Sequence, residues 1–374
     1  MSASAELPLP DRIARFLADS LGDSSDTSPA DSFETLALAA YRFQVERIEP
    51  LRRLAEARGL DLDRIASWRD VPLVPSTAFK SLTLAAEPAV EIFRSSGTSA
   101  GPEERSVHHH PFPDLYRATI DHAFPRYCLA GLDRPPMLSL IPSRELLPDS
   151  SLSFMVDHVL AQFGGPESAN VVGPRGVEAA PARSWAGARQ RAGRPIVVLS
   201  TALALDQWLR ALERQELRFR LPPGSVLFET GGFKGRETEL SREELIERIE
   251  TRLGIPRQRI VREYGMTELT SQCYTEALDD GDPDLFVAPP WVRVRILDPE
   301  TLAEAPQGTL GLIAIFDLAN LGSAVHLLTQ DLGVAEPGGF RLLGRAAGAE
   351  LRGCSLAAEE LARAGGAIPA ERSA

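Results

Sequence analysis

The sequence predicts an α/β protein, with a parallel sheet flanked by helices and a β-rich end. Three observations predict it. From about residue 90 to 265, short apolar runs alternate with amphipathic helical segments, the order in which parallel strands are joined by helices. Beyond about 280 the helical period fades, and WVRVRILD, GLIAIFDL and AVHLLTQD alternate like strands. The 374 residues are 44% hydrophobic and 25% charged, ordinary for one large domain or two unequal ones.

In chain order, DRIARFLADSL predicts a short helix, and a Ser/Asp/Pro-rich break follows it. In SFETLALAAYRFQVERIEPLRRLAEARG, Phe33, Leu36, Leu38, Tyr41, Val45, Ile48 and Leu51 recur at helical spacing. Asp31 or Ser32 can cap the start, Pro50 can bend the segment into two helices, and Gly59 can end it. WRDVPLVPSTAFK, rich in breakers, reads as extended and loop-like. Then AVEIFRSS, MLSLIPS, PIVVLST, GSVLFETGG and RIVREYG read as strands. PDLYRATIDHAFPRYC, SSLSFMVDHVLAQF, ALDQWLRALERQ and SREELIERIETRLG read as the helices among them.

Several function classes are excluded at this level. The longest apolar runs fall far short of the roughly 20 residues of a membrane span, and MSASAELPLPDR lacks the apolar core of a signal peptide. A net charge of -12, without a long Lys/Arg block, argues against nucleic acid as a partner. Three widely spaced cysteines, Cys128, Cys273 and Cys354, do not make a disulfide framework or a zinc site. The expectation is a soluble, cytoplasmic protein.

The chemistry-bearing residues sit in loops after strands. FRSSGTSAGPEERS packs Ser95, Ser96, Gly97, Thr98, Ser99 and Gly101 into a run placed at the C-terminal end of AVEIF, where open α/β sheets bind ligands. Small residues let backbone N–H groups approach an anion, and hydroxyls add donors; alone, the run also reads as a surface turn. LFETGGFKG is a strand entering a Gly231-Gly232 turn, and REYGMTE a strand ending at Tyr264, Gly265, Thr267 and Glu268. Between them Ser241 and Glu244 spell a capping box. Parallel strands joined by one helix bring these ends to one rim. An aromatic ring, a glycine pair, a hydroxyl and a carboxylate suit a nucleotide with bound Mg2+.

With the later TQD (329–331) and GR (344–345), these motifs follow the order of the adenylate-forming superfamily, the acyl-CoA synthetase and luciferase-like enzymes. TGGFKG, PDSSLSFMVDH and GCSL make the chain resemble more narrowly the LuxE-type acyl-protein synthetases, over roughly residues 30 to 360. The resemblance implies an adenylate-forming-type N-terminal domain, ATP and Mg2+ as cofactors, and a fatty or other carboxylic acid as substrate. Ser95 to Gly101 would hold the ATP phosphates. Gly231, Gly232 and Phe233 would border the adenine, with Tyr264 stacking on it. Thr267 would contact the α-phosphate, Glu268 would bind Mg2+, and Asp331 with Arg345 would take the ribose. Loss of Glu268 is expected to hurt more than loss of any one loop serine.

The chain also departs from the superfamily. Its phosphate loop runs Gly101-Pro102-Glu103-Glu104 where Pro-Lys is usual, which leaves Arg105 as the nearby cation. After Arg345 the acid expected in the hinge motif does not come until Glu350. The mobile C-terminal domain with its lysine has no room after Gly344, so that domain is expected to be largely truncated, as in the acyl-protein synthetases. The domain boundaries expected are a helical lead at 1–90, an adenylate-forming core at 91–340, and a C-terminal remnant at 341–374 carrying Cys354.

Cys354, in AELRGCSLAAEELAR, lies after a glycine and before Ser355, which can cap a short helix whose N-terminus would lower the thiol pKa. The alternative is a buried structural cysteine. The resemblance favours the first reading, because the family's acylated cysteine lies in the same GCSL context. Cys128 and Cys273 read as structural. Ser151, Met155, His158 and Gln162 share one face of their helix, which fits a helix beside an acyl pocket; a helix with His158 at its solvent edge is the plainer reading. His108, His109 and His110 read as a structural loop, since adjacent side chains cannot all reach one ion. Lys80 and Lys234 are the only lysines.

The expected function is an ATP-dependent ligase that adenylates a carboxylic acid and passes the acyl group to Cys354 for delivery to an acyl reductase or other acceptor protein. The alternatives are an acid-CoA ligase resembling phenylacetate-CoA ligase, and a degenerate nucleotide- or acyl-binding subunit.

Overall fold

The computed structural model describes residues 7–21, 31–96, 105–231, 241–278, 280–346, 357 and 360–361. The chain divides into two compact units, each assembled from separated stretches. The first comprises Met1–His122, Met266–Ser271 and Ala288–Ala374; the second, Ala123–Gly265 and Gln272–Val287.

The first unit opens with helices α1 (Leu9–Ser20), α2 (Phe33–Arg47) and α3 (Glu49–Ala57). Ser32 caps α2 by accepting from the Thr35 N–H at 3.2 Å. The break expected at Pro50 falls at Ile48, which is extended, and Pro50 sits in the first turn of α3, where a missing N–H leaves no helical bond unmade. The β-rich end is an antiparallel sheet in the order Val292–Leu297, Leu310–Asp317, His326–Glu336, Gly339–Arg345. Val74–Pro75 runs parallel to Leu327–Leu328, so part of WRDVPLVPSTAFK is strand, followed by a short 3-10 helix over Ser76–Lys80. Phe33, Trp68 and Phe316 pack edge to face with centroids 5.6 to 5.9 Å apart. Gln44, buried on α2, donates to the carbonyls of Asn320 and Leu321 at 2.9 and 3.0 Å and accepts from Val325 N–H.

One strand expectation is corrected here. Glu91–Arg94 does not join a parallel sheet; it pairs antiparallel with Val107–His110 in a separate two-stranded ribbon. A parallel partner requires a crossover of a dozen or more residues, whereas an antiparallel one lies just across the next loop. The three histidines are therefore strand, not loop. Helix α4 (Pro113–Cys128) follows.

In the second unit the strands run in the order Ala169–Asn170, Met137–Ser139, Val197–Thr201, Val226–Thr230, Ile260–Tyr264, and these five are parallel. Cys273–Thr275 and Phe286–Val287 then add antiparallel. This is the parallel sheet expected from the alternation. Helices α5 (Ser151–Phe163), α6 (Ala179–Ala192), α7 (Ala202–Arg214) and α8 (Arg242–Leu253) lie between the strands in sequence. Helix α6 is not evident in the sequence, because the side chains it buries are only Ala182 and Ala186 and its apolar period is faint. Trp208, Leu209 and Leu212 of α7 pack with Leu245, Ile246 and Ile249 of α8 in the core beside Leu227 and Ile260. The capping box at Ser241 and Glu244 forms as expected. Among the described residues no helix is long and apolar enough to cross a membrane.

Candidate functional site

Within the first unit, the turn Met266–Ser271 carries Thr267 and Glu268, and side chains from outside the turn hold its backbone at several points. His108 Nδ1 donates to the Thr267 carbonyl at 2.8 Å. Asn320 Nδ2 donates to the Glu268 carbonyl at 2.9 Å and to the Ala324 carbonyl at 2.8 Å. The N–H groups of Thr270 and Ser271 reach Asp317 Oδ2 at 3.0 and 2.8 Å, and Ser271 Oγ donates to Oδ1 at 2.6 Å. Thr119 Oγ1 donates to the Thr270 carbonyl at 3.1 Å.

The alternation of Val107–His110 makes this possible, since successive strand side chains face opposite ways. His108 and His110 are buried on one face with ring centroids 5.0 Å apart, and His109 is half-buried. Burial pushes His108 down to about 4 and His110 well below its ordinary value, so both are neutral near pH 7. Burial pushes the Asp317 carboxyl up, against the donors from Ser271, Thr270 and Ala319 that favour its ionised form. Glu268 is itself buried. The histidines, Asn320 and Asp317 are what the sequence reading passed over; the available signal was the period-two spacing of the first and third histidine.

In the second unit, Gly231 and Tyr264 stand at the C-terminal ends of adjacent parallel strands, whose last paired residues are Thr230 and Glu263. That part of the expected rim forms. Gly231 has φ +74°, a left-handed conformation that suits glycine. Tyr264 is buried and meets Phe286 edge to face at 6.2 Å. Thr230 Oγ1 donates to Glu263, tying the two strand ends together, and Gly265 lies over that pair with no room for a side chain.

Asp331 and Arg345 face each other across the first unit's sheet, with Arg345 Nε 3.5 Å from Asp331 Oδ1. Ser95 and Ser106 extend the Glu91–Arg94 ribbon: each N–H bonds to the other residue, Ser95 N–H to the Ser106 carbonyl and Ser106 N–H to Ser95 Oγ, both at 3.0 Å. Arg105 Nε donates to the Ser95 carbonyl. Ser96 is exposed just beyond. Gly97, Thr98, Ser99, Gly101, Gly232, Phe233, Lys234, Glu350, Cys354 and Ser355 lie outside the described residues.

On α5, Met155 is buried with Ser153, Phe154, Val156 and Val159, while Ser151 and His158 are half-buried and Gln162 is exposed. Of the face expected from the sequence, only Met155 is in the core, and its far end at Gln162 reaches solvent. Cys128 and Cys273 are buried free thiols, and burial pushes Cys128 well up, away from nucleophilic use. Among the described residues no three His, Cys, Asp or Glu side chains cluster to hold a metal.

The fold is that of the adenylate-forming ligases. The chain superposes on 2-hydroxyisobutyryl-CoA ligase solved with 2-HIB-AMP and CoA, with a TM-score of 0.61 and 15% identity over 87% of this chain and 75% of that one. It superposes on ATP-bound MatB from Rhodopseudomonas palustris with a TM-score of 0.50 and 17% identity, over 76% of this chain and 52% of that one. Residues 188–362 match the family model of the acyl-protein synthetases, LuxE. A stretch of 48 residues is 38% identical to the long-chain-fatty-acid–luciferin-component ligase of Aliivibrio fischeri, spanning 13% of this chain and 13% of that protein.

Proposed function

We propose that the protein activates a carboxylic acid with ATP and transfers the acyl group to a thiol. The observation that carries this reading is the clamped Thr267–Glu268 turn, which lies within the stretch matching the acyl-protein synthetases. In the first step an oxygen of the substrate carboxylate attacks the α-phosphorus of ATP. The bond to the β-phosphate oxygen breaks, and pyrophosphate leaves an acyl-adenylate. Such a transfer depends on positioning and charge stabilisation, and a buried turn with fixed backbone supplies both without reorganising.

Thr267 would contact the α-phosphate and Glu268 would hold Mg2+. A single carboxylate suits that ion, which takes most of its remaining ligands from phosphate and water; the lack of a three-residue metal cluster among the described residues is compatible with this. Asp331 would accept from the ribose hydroxyls, with Arg345 opposite to orient its carboxylate. Tyr264 and the Gly231 turn would border the adenine. In the second step the Cys354 thiolate attacks the acyl carbonyl, the acyl-phosphate bond breaks and AMP leaves, forming a thioester for delivery to an acceptor such as an acyl reductase. The likeness to the Aliivibrio fischeri ligase supports a long-chain fatty acid as the substrate.

Incubation with labelled fatty acid and ATP tests this. The expected result is protein-bound label that hydroxylamine releases and that is absent in Cys354→Ser. Turnover that requires CoA and is unaffected by this substitution would replace the reading with an acid-CoA ligase. Absence of pyrophosphate exchange with any acid would leave a binding subunit.

A further inference from the structure

The hydrogen bonds beneath the Thr267–Glu268 turn have a single consistent direction. Asn320 Nδ2 is committed to the carbonyls of Glu268 and Ala324, so Oδ1 is the acceptor that faces Thr270. Thr270 Oγ1 donates to that Oδ1 at 3.0 Å. The hydroxyl proton being spent, the hydroxyl accepts from His110 Nε2, also at 3.0 Å. A carbonyl can only accept, so His108 carries its proton on Nδ1.

We infer that the oriented relay His110–Thr270–Asn320, which ends on the Glu268 carbonyl, and His108, which holds the Thr267 carbonyl beside it, together fix the dipeptide, making all four positioning residues for the adenylation reaction. This rests on the proposed function for its catalytic meaning, but not for its structural content. Both carbonyls of the dipeptide are held by side chains from outside the turn, one from the Val107–His110 strand and one from the segment after Leu310–Asp317. His110, Thr270 and Asn320 are all nearly fully buried, at 3%, 0% and 1% exposure, so water does not compete for these bonds. With its carbonyls fixed, the turn can present the Thr267 hydroxyl and the Glu268 carboxylate in one orientation. Groups that orient such contacts typically change activity by about 10- to 100-fold when removed.

The test pairs Thr270→Val, which removes the hydroxyl at constant shape, with Thr270→Ser, which restores it. Two readouts are taken on the full chain: amide hydrogen exchange of the peptide spanning 266–271, and fatty-acid-dependent ATP–pyrophosphate exchange. The expected result is lost amide protection in Thr270→Val with recovery in Thr270→Ser. The exchange rate constant is expected to fall about 10- to 100-fold in the valine variant while the KM for ATP stays within about 2-fold. Unchanged protection in Thr270→Val overturns the relay. Lost protection with an unchanged exchange rate overturns its positioning role. If the wild type catalyses no exchange with any acid, the proposed function fails and the protection data alone decide the relay. Should Thr270→Val not fold, His108→Leu and His108→Asn replace the pair, because the asparagine amide can stand in for the Nδ1 donor.

Discussion

At Gly265 an added methyl group would overlap Glu263 Oε1, the carboxylate that Thr230 holds across the adjacent strand end. The sequence reading assigned Gly265 to the nucleotide site, and the structure adds a packing reason for glycine there. Gly265→Ala is expected to push Glu263 off Thr230 and to destabilise the second unit by about 1–3 kcal/mol. The measurement is a lower urea midpoint at unchanged slope, and an unchanged midpoint would mean that the carboxylate swings aside freely. Single residues were read unevenly from the sequence. Asp331 and Arg345, proposed to act together, are direct cross-strand partners. In the sequence, His108 and His110 resemble only a metal motif that fails, because their actual partners, Thr267 and Thr270, are more than 150 positions away in the chain.

Among elements, α7 and α8 show how a helix pair is specified beyond its apolar faces. Arg248 donates to Glu213 with two nitrogens, at 2.8 and 2.7 Å, and to buried Asp206 at 2.6 Å. Arg248→Ala leaves Asp206 with only the more exposed Arg210, and it is expected to cost about 2 kcal/mol, more than an exposed pair would. Arg248→Met, which keeps the packing of the stem, is expected to recover part of that loss. Thermal unfolding of the two variants checks the order, and equal losses would assign the whole effect to charge. The periodic helices α2, α5, α7 and α8 were legible because each buries large apolar side chains at helical spacing. The Glu91–Arg94 ribbon was misplaced because four residues carry no information about which neighbour they will pair with.

For the molecule as a whole, buried neutral histidines make stability depend on pH. Burial holds His108 at about 4 and His326 at about 3, both below the ordinary 6.5. The unfolded chain therefore binds protons first on acidification. Their contribution is intact above about pH 6.5 and is lost as the pH falls toward the folded values, at up to about 1.4 kcal/mol per unit per histidine. Urea midpoints are expected to drop between pH 7 and pH 5, and less steeply in His326→Asn, which can keep the donor to the Val71 carbonyl. A pH slope unchanged by that substitution would remove His326 as a source.

The sequence by itself determined the α/β class, the parallel strand series, the capped helices and the ordered motifs of an adenylate-forming fold, since each depends on local periodicity or on a short run of residues. Only the tertiary structure decided that the strand leading to Ser95 pairs in an antiparallel ribbon. It also decided that a strand of histidines and the segment Asp317–Asn320 hold the Thr267–Glu268 turn. Those bonds join positions distant in sequence, and burial of polar side chains becomes informative only when the partners that satisfy them are in place.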